Sequence, residues 1–413
     1  VNHIISAAET ATGDENEIKC TTAQAYAARA FSYFMLIQSF QQTLVGHEDL
    51  PGVPIYTEPT TASSKGRKRS PVREVYARID EDLETAVSLF EECGVKRKHI
   101  SNLTSLLQAR VALVENDWNK AVVAAKRAIS TPYASLLSKL DATVTKGTFD
   151  DSTTDWTTGK TPFNSVSSSS VMWGAEIISD QSTVFASFFS NMDACTNVYY
   201  AAESPKCISN WLYAQIPDSD IRKGWWNGNI GVSEKEWKYG ANINYNQFKF
   251  QWADQNSYKG DYIFMRLEEA YLILAEALCR MGNDNEAKSA LGEIMSRRDS
   301  NWSGTLDTLG GNEQTFGTVG TVKTLLDEIL LQRRIELWGE TGRIFDILRL
   351  AKGWTRYWKV NGEESNHTNY LSKYPDYLNF PADYIECILM IPQVEIDNNP
   401  NINPEDQNPY VQN

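Results

Sequence analysis

The chain has 413 residues, 42% of them hydrophobic and 22% charged, which is the composition of a folded protein with one large domain or two ordinary ones. Its formal net charge of −14 argues against nucleic acid as a partner, because a polyanion would be repelled by most of the surface. No stretch approaches the roughly 18 apolar residues of a membrane-spanning helix, and the residues after Val1 show neither a basic n-region nor an apolar h-region.

Helices dominate the N-terminal third. From Ala23, the residues Tyr26, Ala27, Ala30, Phe31, Phe34 and Met35 follow the i, i+3, i+4 rule over about three turns. A second helix is expected after Ser70-Pro71, read as an N-cap followed by proline at the first helical position. Its apolar face runs through Val72, Val75, Tyr76, Ile79, Leu83, Ala86, Val87 and Phe90. Between the two, Leu50 to Tyr56 contains two prolines and a glycine and must be extended or turned. The basic run Lys65 to Arg69 reads as a solvated loop.

Two later segments share an internal spacing. Ala109 and Ala121 are twelve residues apart, and so are Ala275 and Ala287, with Glu115-Asn-Asp117 and Gly282-Asn-Asp284 as the intervening turns. Small residues at that separation let antiparallel helices cross closely, a degenerate form of the tetratricopeptide pattern. Residues 141–260 differ: they are rich in Ser, Thr, Asn, Asp, Gly and Trp, with Val171-Met172-Trp173 as a short strand and Trp173 expected in the core. An irregular stretch of that length inside a helical scaffold implies a subdomain or binding loops. A second irregular stretch runs from Trp354 to Phe380.

Catalytic and metal motifs are sparse. The histidines at 3, 47, 99 and 367 show no ligand spacing, and there is no G-x-S-x-G, H-E-x-x-H, Walker or dinucleotide loop. Six cysteines at 20, 93, 195, 207, 279 and 387 contain no C-x-x-C, which gives zinc or iron–sulfur ligation little support. Cys279 reads as a buried free thiol. Only Cys195 and Cys207 lie close in sequence, and a bridge between them is left open. Glu268, Glu269 and Glu276 are expected to pair with Arg266 and Arg280 or to serve as solvated faces. Arg333, Glu336, Glu340, Arg343, Asp346 and Arg349 form a charge ladder along one helix face, read as internal tethering. Asp220 and Arg222 read as a structural ion pair. Neither an enzyme nor a resident metal or cofactor is expected.

Five segments, in order along the chain, resemble the SusD/RagB family of outer-membrane nutrient-binding lipoproteins. They are Ala28-Arg-Ala-Phe-Ser-Tyr-Phe34 with Pro51-Gly-Val-Pro54; Val75-Tyr-Ala-Arg-Ile-Asp-Glu-Asp-Leu83 with Ala86; and Phe264-Met-Arg-Leu-Glu-Glu-Ala-Tyr-Leu-Ile-Leu-Ala-Glu-Ala277. The others are Arg333-Arg-Ile-Glu-Leu-Trp-Gly-Glu-Thr-Gly-Arg-Ile-Phe-Asp346 with Arg349, and the ending Ile391-Pro392, Glu395, Asn399-Pro400, Gln407-Asn-Pro-Tyr410. Gln332 stands where the family usually has Glu, and no glycine separates Pro409 from Tyr410. Family members usually carry further residues before the equivalent of Asn2, opening with a lipid-modified cysteine, so the sequence is expected to start inside the family fold.

The resemblance implies a mainly α fold: tetratricopeptide-like helix hairpins as scaffold, covered by an irregular Trp/Asn/Ser-rich subdomain with few short strands. It also implies a surface-exposed lipoprotein of the cell outer membrane that binds oligosaccharide, or in some members peptide, and docks on a SusC-like TonB-dependent transporter. The membrane would be met only through a lipid anchor absent from this chain. The expected organisation is one domain over 1–413. Helices are expected at 20–140 and 260–350, with hairpins near 101–132 and 262–298. A ligand-binding subdomain at 141–260 and a loop and tail at 351–413 complete it. The rival reading is a tetratricopeptide-type protein-interaction scaffold.

Sugar binding needs aromatic rings to stack on pyranose faces and amides or charged groups to bond the hydroxyls. Twelve tryptophans exceed what such a core requires, and Trp173, Trp211, Trp225, Trp226, Trp237 and Trp252 all lie in the central region. Each could simply plug the subdomain. Trp225-Trp226 is different as a pair, because neighbours rarely face the same way and at least one is expected to be exposed or to cover a rim. The candidate ligand-binding residues are therefore Trp225, Trp226, Asn227, Trp237 and Tyr239.

Overall fold

The structure, a computed structural model, describes residues 1–94, 98–150, 155–157, 159–185, 187–195, 201, 204–232, 243–304, 324–340, 342–351, 353–355, 359–360, 363–366 and 379–409. It divides into two compact units. The first comprises Val1–Pro132, Gly342–Trp354 and Phe380–Asn413, and the second Tyr133–Thr341 and Thr355–Asn379.

The first unit is built on α1 (Asn2–Ala8), α2 (Glu15–Phe40), α3 (Val72–Glu92), α4 (Lys98–Glu115) and α5 (Trp118–Ile129). Asp14 starts α2 by accepting from the backbone N–H groups of Asn16 and Glu17, at 2.8 and 3.2 Å. The buried stripe of α2 runs through Ala23, Ala30, Phe34 and Ile37, while Met35 is exposed, off the expected face. The α3 face is buried from Val72 to Phe90 as expected, although Pro71 itself occupies the cap position and Ser70 makes no cap bond.

The first two family-like segments meet here: the Arg29 guanidinium forks onto the Asp82 carboxylate with two bonds of 2.7 Å, both residues being buried. Cys20 and Cys93 form a disulfide between the start of α2 and the end of α3. Cys195 and Cys207 are free thiols, so the pairing follows the packing of two long helices and not closeness in sequence. The α4–α5 hairpin closes over Ala109 and Ala121, both fully buried, with Asn116 in the turn at φ 57°. The tail is tied down by its amides. Gln407 bonds both backbone groups of Ile391, at 2.7 and 3.0 Å, and Asn408 donates to the carbonyls of Phe40 and Leu389.

The second unit carries the hairpin of α8 (Leu267–Arg280) and α9 (Asp284–Met295), together with α10 (Leu325–Glu336). Ala275 and Ala287 are fully buried at the crossing, and the turn uses Gly282 at φ 78°, a conformation open to glycine at little cost. Its other described elements are short and include the antiparallel pair β1 (Thr148–Asp150) and β2 (Asp155–Thr157), the antiparallel pair β3 (Val171–Ala175) and β4 (Tyr262–Arg266), and the single turns α6 (Phe188–Met192) and α7 (Asn210–Ala214). The expected charge ladder is not one helix face. α10 ends at Glu336 and α11 (Arg343–Arg349) begins after a turn in which Gly339 has φ 75°. A Cβ on Gly339 would lie 2.5 Å from the Phe250 ring, so the chain must turn where that ring packs.

Candidate functional site

The central insert rests on a buried ionic floor built from the third and fourth family-like segments. Arg298 reaches Glu268 at 3.1 Å and Glu336 at 3.0 Å, Arg266 reaches Glu268 and Glu340 at 2.9 and 2.8 Å, and Arg222 reaches Asp220 and Glu336 at 2.6 and 3.3 Å. Burial alone would raise the Glu336 carboxyl, but Arg298, Arg266 and Arg222 around it hold it well below the usual carboxylate range. The Lys249 ammonium donates to the carbonyls of Glu336 and Trp338, at 2.7 and 3.0 Å, and to the Glu340 carboxylate. Burial pushes it down to about 8, against the opposing pull of Glu340. These charges are saturated by one another and closed to solvent, so they hold the insert in place and are not poised for chemistry.

Above this floor lies an aromatic core that contains both Trp225 and Trp226, 0% and 3% exposed. The expectation that at least one of them is exposed or covers a rim is corrected here. Trp225 ends a 3-10 turn (Ile221–Trp225), lies 5.0 Å from the Phe163 ring, and donates its indole N–H to the Ala142 carbonyl at 2.8 Å. Trp226 continues in extended backbone and meets Trp338 edge to face at 5.6 Å. The segment is a middle layer with rings on both sides, so facing different ways still means facing protein. In this arrangement neither indole is open to a sugar.

Asn227 is half-buried at the edge of that layer, its amide donating to the Ile243 carbonyl at 3.2 Å and its backbone N–H to Asn246 at 2.9 Å. Trp237 and Tyr239 lie outside the described residues. Next to Asn227 is a pair of tyrosines that sequence reasoning missed. Tyr213 and Tyr245 are half-buried, their rings edge to face at 5.7 Å, and the Lys223 ammonium sits 5.3 Å over the Tyr213 ring. Lys223 also pairs with Asp218 at 2.6 Å. Gly228 lets the backbone run flat against Tyr213, since a Cβ there would lie 3.1 Å from the phenol oxygen.

Tyr245 has φ 61°, a left-handed conformation uncommon for an aromatic residue. It is held by its N–H to the Gly228 carbonyl at 3.1 Å and by its carbonyl accepting from Ile208 at 3.0 Å. Such strain persists only where the surroundings over-determine it, and it gathers at binding sites. Asn244 completes the edge by bonding Ile230 and Val232 through its side chain. The signal available in the sequence was the spacing of Tyr213 and Tyr245 around the Trp pair, which no periodicity singles out.

The first unit holds a cavity of about 460 Å³ lined by Tyr33, Leu36, Val53, Pro54, Ile391 and Ile402 among others. Its exposed wall is mainly apolar, aliphatic and aromatic together, although Asn2, Arg29, Ser32, Arg69 and Glu395 also line it.

A model of the SusD family matches residues 191–410, more than half of the chain, and one described as starch-binding, associating with outer membrane, matches residues 1–104. No curated protein matches. Among solved structures, the chain is similar to a SusD-like carbohydrate binding protein from Bacteroides vulgatus, at 23% identity and a TM-score of 0.72, covering 100% of this chain and 82% of that one. It is similar also to a SusD superfamily protein from Bacteroides thetaiotaomicron, at 22% identity and a TM-score of 0.70, covering 99% and 83%. Surface glycan-binding protein A from Bacteroides uniformis aligns at 19% identity and a TM-score of 0.63, covering 98% and 82%. The helix hairpins, the irregular insert and the order of the five segments agree with these matches: the chain belongs to the SusD family.

Proposed function

We propose that this protein captures oligosaccharide at the bacterial cell surface without chemically altering it, and passes it to a TonB-dependent outer-membrane transporter. The observation that carries the reading is the Tyr213–Tyr245 edge: two half-exposed rings on a rigid floor, with Lys223 and Asn227 as hydrogen-bonding neighbours. Half-exposed rings give a sugar's apolar face somewhere to stack, and the polar rim meets its hydroxyls. Trp237 and Tyr239 are proposed as further contacts, because the residues flanking their stretch, Val232 and Ile243, are bonded to Asn244 and Asn227 at this edge. Trp225 and Trp226 act as its floor. The family membership supports the reading, as do the names of fold neighbours, one of them a laminarin binding SusD-like protein.

A retardation gel over a panel of soluble glycans tests it, run on the parent and on Y213A, Y245A, W237A and Y239A. The expected result is retardation of the parent by at least one glycan and its loss in the tyrosine variants. Folded protein that no glycan retards would sink the reading.

A further inference from the structure

The second unit carries another run of partly exposed rings, away from the Trp225 layer in sequence and built on different elements. β3 and β4 pair antiparallel with Val171 opposite Arg266 and Ala175 opposite Tyr262, with an irregularity at Trp173. Residues 262 and 264 share one face of β4, about 7 Å apart by strand geometry. The Trp173 and Phe264 rings meet across the two strands at 5.0 Å, and beyond Phe264 the Tyr262 ring lies 6.2 Å from Phe188 of α6. Phe264 and Phe188 are 38% and 37% exposed, and Trp173 and Tyr262 are half-buried. Trp173 is therefore not the core residue that its strand position suggested.

Four features suit this row to a ligand. It is rigid, because Phe188 is backed by Phe250 at 5.1 Å and Tyr262 by the fully buried Phe189 at 6.2 Å. Ala175 is the small residue paired with Tyr262, so the facing strand adds little bulk beside that end of the row. The successive spacings, 5.0 Å from Trp173 to Phe264, about 7 Å between residues 264 and 262, and 6.2 Å from Tyr262 to Phe188, are each on the scale of one sugar ring, and the middle step follows the strand direction. Close to the row in sequence, Glu176 and Asp180 just past β3 are exposed, and Arg266 at the end of β4 is buried against Glu336 and Glu340. Carboxylates accept from hydroxyls and repel anions.

We propose that Trp173, Phe264, Tyr262 and Phe188 form a second glycan-binding face, for a neutral, extended oligosaccharide of three or more rings. This rests on the carbohydrate reading above but names a different surface and a ligand shape. The face contributes chain-length dependence, since a disaccharide can cover only part of the row.

Calorimetry on the full chain tests it with cello-, xylo- and mannohexaose as extended neutral probes. Maltohexaose serves as the coiled comparison, hexagalacturonate as the anionic one, and cellobiose as the short one. The expected result is that at least one extended hexasaccharide binds more tightly than cellobiose, maltohexaose and hexagalacturonate. W173A/F264A should weaken that binding about tenfold or more, as for loss of stacking anchors, while Y213A/Y245A keeps a length-dependent component. F188A, at one end of the row, gives the same reading in a milder form should the double variant fail to fold. A hexasaccharide bound as tightly by folded W173A/F264A or by F188A as by the parent overturns the second face and leaves the carbohydrate reading standing. Preference for maltohexaose or hexagalacturonate overturns the ligand shape or charge. Failure of every probe with the parent overturns the proposal outright, whereas the tyrosine-edge reading is judged on the wider glycan panel.

Discussion

The Lys249 ammonium lies 4.9 Å from the centroid of the Trp225 ring and 4.6 Å from that of Phe163, the two rings being neighbours at 5.0 Å. A buried cation thus sits between the aromatic layer and the carboxylates of α10 and the turn after it, and Trp225 serves the floor of the insert instead of its surface. Replacing Trp225 with alanine should cost about 3–5 kcal/mol of stability, the range for large aromatic truncations in a core. Phenylalanine there should cost less but still lose the bond to the Ala142 carbonyl. Urea unfolding of the two variants checks this. A W225A protein as stable as the parent would contradict the burial described above.

The same lysine sets a pH dependence. Its folded-state value near 8 lies below the ordinary 10.5, so between the two the unfolded chain binds a proton that the folded chain has released. Stability therefore gains from this group as pH rises from about 8 towards 10.5, and below 8 the group contributes a constant penalty. K249M should flatten that rise. Thermal midpoints of parent and variant across the window show it as the difference between two slopes, which removes the contribution of the other lysines.

Cys20 and Cys93 are 73 residues apart in sequence, and a bridge of that span constrains the unfolded chain substantially. C20S/C93S should lose roughly 4 kcal/mol by the loop-entropy relation. Peptide mapping without reductant should recover the Cys20–Cys93 pair and leave Cys195 and Cys207 alkylatable once unfolded. Burial pushes the Cys207 thiol up to about 12, so in the folded protein it should react slowly with alkylating reagents.

The two hairpin crossings allow a matched test. A109L and A275L each place a large side chain where the alanine is fully buried between helices, and each should cost about 1–3 kcal/mol by overpacking. Substitution at Val123, which is 58% exposed on α5, should change stability by less than about 0.5 kcal/mol. Equal effects at buried and exposed positions would show that the crossings are not close-packed.

Much of the scaffold was legible in the sequence by itself. The faces of α3 and α8, the twelve-residue alanine spacings and the turns at Asn116 and Gly282 are local, and their periodicity follows from helix geometry whatever lies around them. The five family-like segments were equally legible, as was the structural role of their charges, because buried ions need partners. Which charges meet was only partly so. The Arg266–Glu268 pair is three-dimensional neighbourhood that sequence closeness happens to share, whereas Arg29 with Asp82, or Arg298 with Glu336, joins residues that only packing brings together.

The insert was read less well, and for a physical reason. Whether a tryptophan is wet depends on what returns to cover it from elsewhere in the chain: Phe163 and Lys249 for Trp225, Trp338 for Trp226. No local pattern encodes that cover, so composition could point to the aromatic insert but not to its exposed rings. The tertiary structure moved the candidate contacts from the Trp pair to Tyr213 and Tyr245, opened Trp173 to one side, and broke the charge ladder at Gly339, where the backbone had to turn beneath Phe250. The disulfide is the same case: bond formation needs two sulfurs close in space, and for Cys20 and Cys93 only the packing of α2 against α3 supplies that.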